Sequence, residues 1–231
     1  MAVFRRLLYA ALCAGVFAGA VAAVAHQLGT VPLIIEAEKY EHAAQQAQPQ
    51  GSAAAHQHDQ VSWAPENGVE RAAYTLAADL LTGIGFALVL TAGLAVRGGT
   101  VNWRDGLFWG LAGFAAFTLA PGLGLTPLLP GTEAAPLLQR QLWWLAAAGC
   151  TGAALALLAF TRRPLYAGLA ALLILLPHLY GAPEPGEHAA LAPAILAHRF
   201  VIAATLASFL FWAALGTATG YFFGYFESRT G

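Results

Sequence analysis

Six apolar stretches separated by polar ones set the pattern of this chain: Leu7 to Ala25, Ala72 to Val96, Gly106 to Leu125, Leu142 to Phe160, Leu165 to Tyr180 and Phe200 to Tyr225. An α-helix needs roughly 20 mostly apolar residues to cross about 30 Å of hydrocarbon. The pattern therefore predicts an all-α membrane protein, a bundle of about six transmembrane helices. The fifth stretch is the shortest, which predicts a helix that tilts little or stops short of the far face. The first has a second reading. Arg5-Arg6, an apolar run and small residues before His26 resemble a secretory signal, whose cleavage leaves five spans. The run is longer than an ordinary signal core, which favours a retained helix.

Composition sharpens the class. Hydrophobic residues make up 58% of the chain and charged residues 10%, whereas a soluble domain carries about 25% charged residues. Lipid is the solvent that fits. The net charge is −1 and no basic stripe occurs, so nucleic acid is excluded as a partner. Cys13 and Cys150 both lie inside apolar runs, where they pack as small hydrophobes. The chain reads as a single integral domain over residues 1–231. Its one long polar connection, residues 27–70, is unstructured in its middle from Ala43 to Ala55.

Lys and Arg gather on the cytoplasmic side of membrane proteins. With both termini inside, the cytoplasmic flanks hold Arg5, Arg6, Arg97, Arg104, Arg162, Arg163 and Arg229, against Lys39, Arg71, Arg140 and Arg199 opposite. That balance predicts N-in, C-in and an extracytoplasmic 27–70 loop. Helices in lipid associate through small residues. Gly15 and Gly19 recur four apart in the first span, Gly106 and Gly110 in the third, and Gly216, Gly220 and Gly224 in the last. The triple repeat predicts a tight helix pair, with a neighbour in this chain or another. Pro121, Pro127 and Pro130 break the end of the third span, and broken backbone must be buried in protein or line a wet cavity.

Under this topology all seven histidines face outward. His42, His56, His58 and His188 fall in loops; His26, His178 and His198 sit at span ends. Glu36, Glu38, Glu41, Asp59, Glu66, Glu70, Glu184 and Glu187 keep them company. Imidazole and carboxylate suit divalent first-row metals. Glu38 and His42 share a face if that segment is helical. Solvated, unliganded side chains are the competing reading of the loop histidines. Asp79 lies about two helical turns inside the second span, where a carboxylate is costly and faces a partner or a wet pathway. Arg71, Arg140, Arg199 or a passing cation are the candidate partners. No GxxxxGK[ST], HExxH or GxSxG motif occurs, which removes the corresponding ATPase, zinc-protease and serine-hydrolase chemistries.

A run of motifs then resembles the CbtA family of predicted cobalt transporter subunits. They begin with His26-x-Leu28-Gly-Thr30-Val-Pro32, Glu36-Ala-Glu38-x-Tyr40-Glu41 and Pro65-Glu66-Asn67-Gly68-x-Glu70-Arg71. They continue with Leu81-Thr-Gly-Ile-Gly-Phe-Ala-Leu88, Trp109-Gly-Leu-Ala-Gly-Phe114, Ala120-Pro121-x-Leu-Gly124 and Leu129-Pro-Gly131. Arg140-Gln-x-Trp143-Trp144 and Leu176-Pro177-His178-x-x-Gly181-Ala-Pro183 complete the order. One departure stands out: the family pattern has a Pro-Glu pair where this chain has Pro127-Leu128.

The resemblance implies uptake of cobalt, with nickel as a second candidate, for cobalamin synthesis, and no tightly bound cofactor. It implies a small single-span CbtB-like partner in the cytoplasmic membrane; a further copy of the chain is another possible partner. On this reading His26, Glu36, Glu38, Glu41, His42, His56 and His58 gather the ion. Glu66 and Glu70 line the entrance, Arg71 orients a carboxylate, and Asp79 with His178 and His198 accepts the partly dehydrated ion. Two alternatives stand beside it: a membrane cytochrome with His178 and His198 as haem ligands, and a non-conducting assembly or regulatory subunit. None of the readings is an enzyme.

Overall fold

The computed structural model describes residues 2–47, 65–161, 163–184 and 190–228, and every regular element among them is helical. Helix α1 (Ala2–Ala25) runs through a π-helical turn (His26–Thr30) into α2 (Val31–Ala47). After α3 (Val69–Arg97), α4 (Trp103–Phe114) runs through a second π-helical turn (Ala115–Leu119) into the short α5 (Ala120–Gly122). Helices α6 (Leu137–Phe160), α7 (Pro164–Tyr180) and α8 (Ala194–Ser228) complete the chain. Four helical stretches are long and apolar enough to cross a membrane: Val3–Gln46, Val69–Arg97, Leu137–Phe160 and Ala194–Ser228. The other two predicted spans are shorter, the third interrupted by its π turn and the fifth 17 residues long.

One expectation needs correcting. Residues 27–70 are not one long connection, because helix continues to Ala47 and resumes at Val69. The cause is a short apolar stripe on α2. Leu33, Ile34 and Ala37 pack against Leu129, Ala192, Leu196 and Phe200, and Ala37 is fully buried there. Residues 48–64 lie outside the described residues.

Glycines let the central helices meet backbone to backbone. A Cβ on Gly15 would sit 2.5 Å from Ile84 Cα, and one on Gly19 2.7 Å from the Asp79 carbonyl, so α1 and α3 tolerate no side chain in their seam. Gly106 and Gly110 of α4 meet Gly216 and Gly220 of α8 in the same way, and a Cβ on Gly224 would lie 2.7 Å from the Val101 carbonyl. The partner of the last span's triple repeat is thus α4 of this chain. Between the seams lies the core: Ala11, Ala14, Ala18 and Ala22 of α1 with Ala87, Leu90, Phe211, Trp212 and Leu215. Phe117, on the second π turn, stacks on Trp212 at 5.6 Å and lies 5.1 Å from Phe86. Helices α6 and α7 form a pair of their own, joined to the bundle through the second π turn and α5.

Candidate functional site

Both π-helical turns lie against α8, and each sits beside a histidine. Such turns insert a residue into the helical ladder and recur at functional sites. In the first, His26 Nδ1 lies 3.0 Å from Asp79 Oδ2, across the α1–α3 seam. The carboxylate is 13% exposed and the imidazole 33%. Asp79's partner is therefore His26, not Arg71, Arg140 or Arg199. Thr30 closes the same turn by donating its hydroxyl to the His26 carbonyl at 3.2 Å. His26 Nε2 bonds to none of the described residues.

An ion pair stands nearer the start of α3. Arg71 donates to Glu38 Oε1 at 2.8 Å, both side chains about one-fifth exposed. Eight residues separate Arg71 from Asp79, roughly 12 Å along a helix. At the head of α3, the Glu70 carboxylate accepts from the Glu66 amide at 3.0 Å, a placement the helix dipole favours. Glu36, His42, Glu66, Glu70 and His198 are exposed and Glu41 is half-buried. Glu38 and His42 do share the helix α2, but Glu38 is held by Arg71 and His42 is exposed. Among the described residues no three His, Cys, Asp or Glu side chains come together as a metal-holding group. His56, His58 and His188 lie outside the described residues.

The second π turn leads to a different arrangement. His178 Nε2 lies 3.0 Å from the Ala120 carbonyl, and its Nδ1 lies 2.8 Å from the Ile174 carbonyl. Carbonyls only accept, and a neutral imidazole carries one N–H. Both contacts are hydrogen bonds only in the imidazolium form; in the neutral form the bare nitrogen faces an oxygen. Either way, neither nitrogen of His178 is open to a metal, nor to a haem iron shared with His198. Trp143 donates its indole N–H to the Pro177 carbonyl at 3.2 Å, and its ring meets that of His178 edge-on at 5.7 Å. These contacts tie α5, α6 and α7 where the third span is broken. An open cleft of about 700 Å³ lies at this junction, lined by Gly124, Thr126, Arg140 and Trp144.

Two features escaped the sequence reading. One is the hydroxyl pair Thr118–Ser208 at 2.7 Å, joining the second π turn to α8; Ser and Thr are too common in such helices to mark it. The other is the His26–Asp79 pairing itself, between residues 53 apart in sequence.

A family model described as "Probable cobalt transporter subunit (CbtA)" matches residues 4–224. Neither the curated proteins nor the solved structures hold a significant match to the chain.

Proposed function

The chain belongs to the CbtA family of probable cobalt transporter subunits, and from that premise we propose that it carries cobalt ions inward across the cytoplasmic membrane with His26 and Asp79 at the receiving end. The observation that carries this reading is the partly buried imidazole–carboxylate pair, its imidazole on a π-helical turn and with one ring nitrogen unused. An ionisable pair inside apolar helices is costly and marks an ion path. Both termini are cytoplasmic in this proposal, so the pair faces the outside. Glu38 and Arg71 stand above it, with Glu36, Glu41, His42, Glu66 and Glu70 as a dispersed acidic and imidazole fringe. His198 extends that fringe. His178 is left out of the ligand set because both its nitrogens face carbonyls.

A small single-span CbtB-like subunit completes the transporter, and the imported ion supplies cobalamin synthesis. Nickel is the competing cargo. Affinity alone does not select cobalt, because copper binds nitrogen and oxygen ligands more tightly; geometry and supply do. Uptake of labelled cobalt by whole cells tests the proposal. Cells with the gene, and with its small partner, accumulate cobalt; deletion removes that accumulation, and Asp79→Asn lowers it at equal membrane levels of the protein. Accumulation indifferent to the gene overturns it.

A further inference from the structure

The His26–Asp79 geometry divides the work between the two side chains. A carboxylate only accepts, and a neutral imidazole has one N–H to give. With Nδ1 at 3.0 Å from Asp79 Oδ2, the proton of the neutral ring sits on Nδ1 and the lone pair on Nε2. Nε2 has no partner among the described residues. This is how a carboxylate fixes the tautomer and raises the basicity of a metal-ligating imidazole. Exposure agrees, since the imidazole is 33% exposed and the carboxylate beneath it 13%. The backbone is close-packed here as well: the Asp79 carbonyl lies in the glycine seam, 2.7 Å from where a Cβ on Gly19 would be, so this turn of α3 sits directly against α1.

Resting on the transport reading, we infer that Asp79 is a positioning residue: it acts through His26, whose Nε2 is the atom that takes the ion. The consequence is a choice of cargo class. Imidazole suits cobalt, nickel, zinc and copper, whereas magnesium and calcium require oxygen donors. A site whose carboxylate is engaged with its own imidazole offers little to magnesium, however abundant. The ion keeps most of its water, because no third ligating side chain stands nearby among the described residues. Weak capture suits a path in which the ion must also leave.

The test uses the purified full chain in lipid nanodiscs, titrated with Co2+ in a large excess of Mg2+, alongside nitrogen NMR of the His26 ring. Wild-type protein binds cobalt despite the magnesium, and metal-free His26 is the Nδ1–H tautomer. Asp79→Asn, whose amide can donate as well as accept, weakens cobalt about 10- to 100-fold and scrambles the tautomer; Asp79→Glu restores affinity to within about threefold of wild type, as a retained carboxylate should. His26→Ala removes the site. Normal cobalt affinity in Asp79→Asn, displacement of cobalt by magnesium, or an Nε2–H tautomer in wild type overturns this inference alone. Wild-type protein that binds no cobalt overturns the transport reading with it. The tautomer readout needs no variant, so a misfolded Asp79→Asn leaves the test intact.

Discussion

Two histidines sit beside two π-helical turns of one bundle, and they are used in opposite ways. His26 engages a side-chain carboxylate through one nitrogen and keeps the other unused. His178 meets backbone carbonyls with both, one on its own helix and one on α5. The surroundings differ to match. His26 lies on helix that continues unbroken through its π turn from α1 into α2, so the ring is held by an intact ladder. His178 lies where the third span stops at Gly122, against the Ala120 carbonyl, which takes only a long 3.3 Å backbone bond from Leu123 among the described residues. Helix ends leave such carbonyls unsatisfied, and in lipid they must find partners inside the protein. On the proposed reading, what separates a ligand from a structural tie is whether a lone pair remains. Residue type and partial burial, which the two histidines share, do not decide it.

The largest expected effect separates the pair directly. His26→Ala lowers cobalt uptake at unchanged protein level by at least the roughly 10- to 100-fold that losing a ligand's supporting partner costs. His178→Ala loses structure instead. It removes the contacts to the Ala120 and Ile174 carbonyls, one hydrogen bond of about 1 kcal/mol with a neutral ring and two with an imidazolium, so the folded fraction falls while uptake per folded molecule stays within about threefold, short of a lost ligand. Thermal unfolding in detergent, read beside uptake, tells the two apart; an inactive but fully stable His178→Ala protein breaks the comparison.

A control for pure packing comes next. Gly216→Val drives a side chain into the backbone of α4 around Gly106 and Gly110, and overpacking of this kind costs about 1–3 kcal/mol or more. The expected result is loss of folded protein, measured by gel filtration in detergent, without any change in metal preference in what survives. Glu38→Gln is milder. It weakens the half-buried bond to Arg71 by about 1 kcal/mol and lowers cobalt uptake less than His26→Ala does. Smallest of all, His42→Ala and His198→Ala, both exposed, leave uptake within about twofold, as surface substitutions usually leave stability within about 0.5 kcal/mol.

Much of the fold was legible because lipid enforces a simple rule. Apolar runs of the right length become helices, and all six did. Glycines four apart named the close-packed faces, although Gly216, Gly220 and Gly224 carry no mark of which helix they meet; that α4 is the neighbour is a matter of three dimensions. Helix α2 was missed because its stripe, Leu33, Ile34 and Ala37, is short and flanked by charged residues, so it reads as loop until Leu129 and Leu196 are seen to cover it. At the candidate site the depth of Asp79 was plain, but charge complementarity pointed to arginine. His26 was chosen instead by the α1–α3 seam, a contact with no local signature. The ties of His178 were less legible still, since a backbone carbonyl leaves no trace in the amino-acid pattern.

Cobalt-edge X-ray absorption on the purified, cobalt-loaded chain asks most directly which ring holds the ion. Imidazole scattering is expected in wild type, with loss in His26→Ala and persistence in His178→Ala. Scattering that survives in His26→Ala and vanishes in His178→Ala contradicts the assignment of the ion to His26.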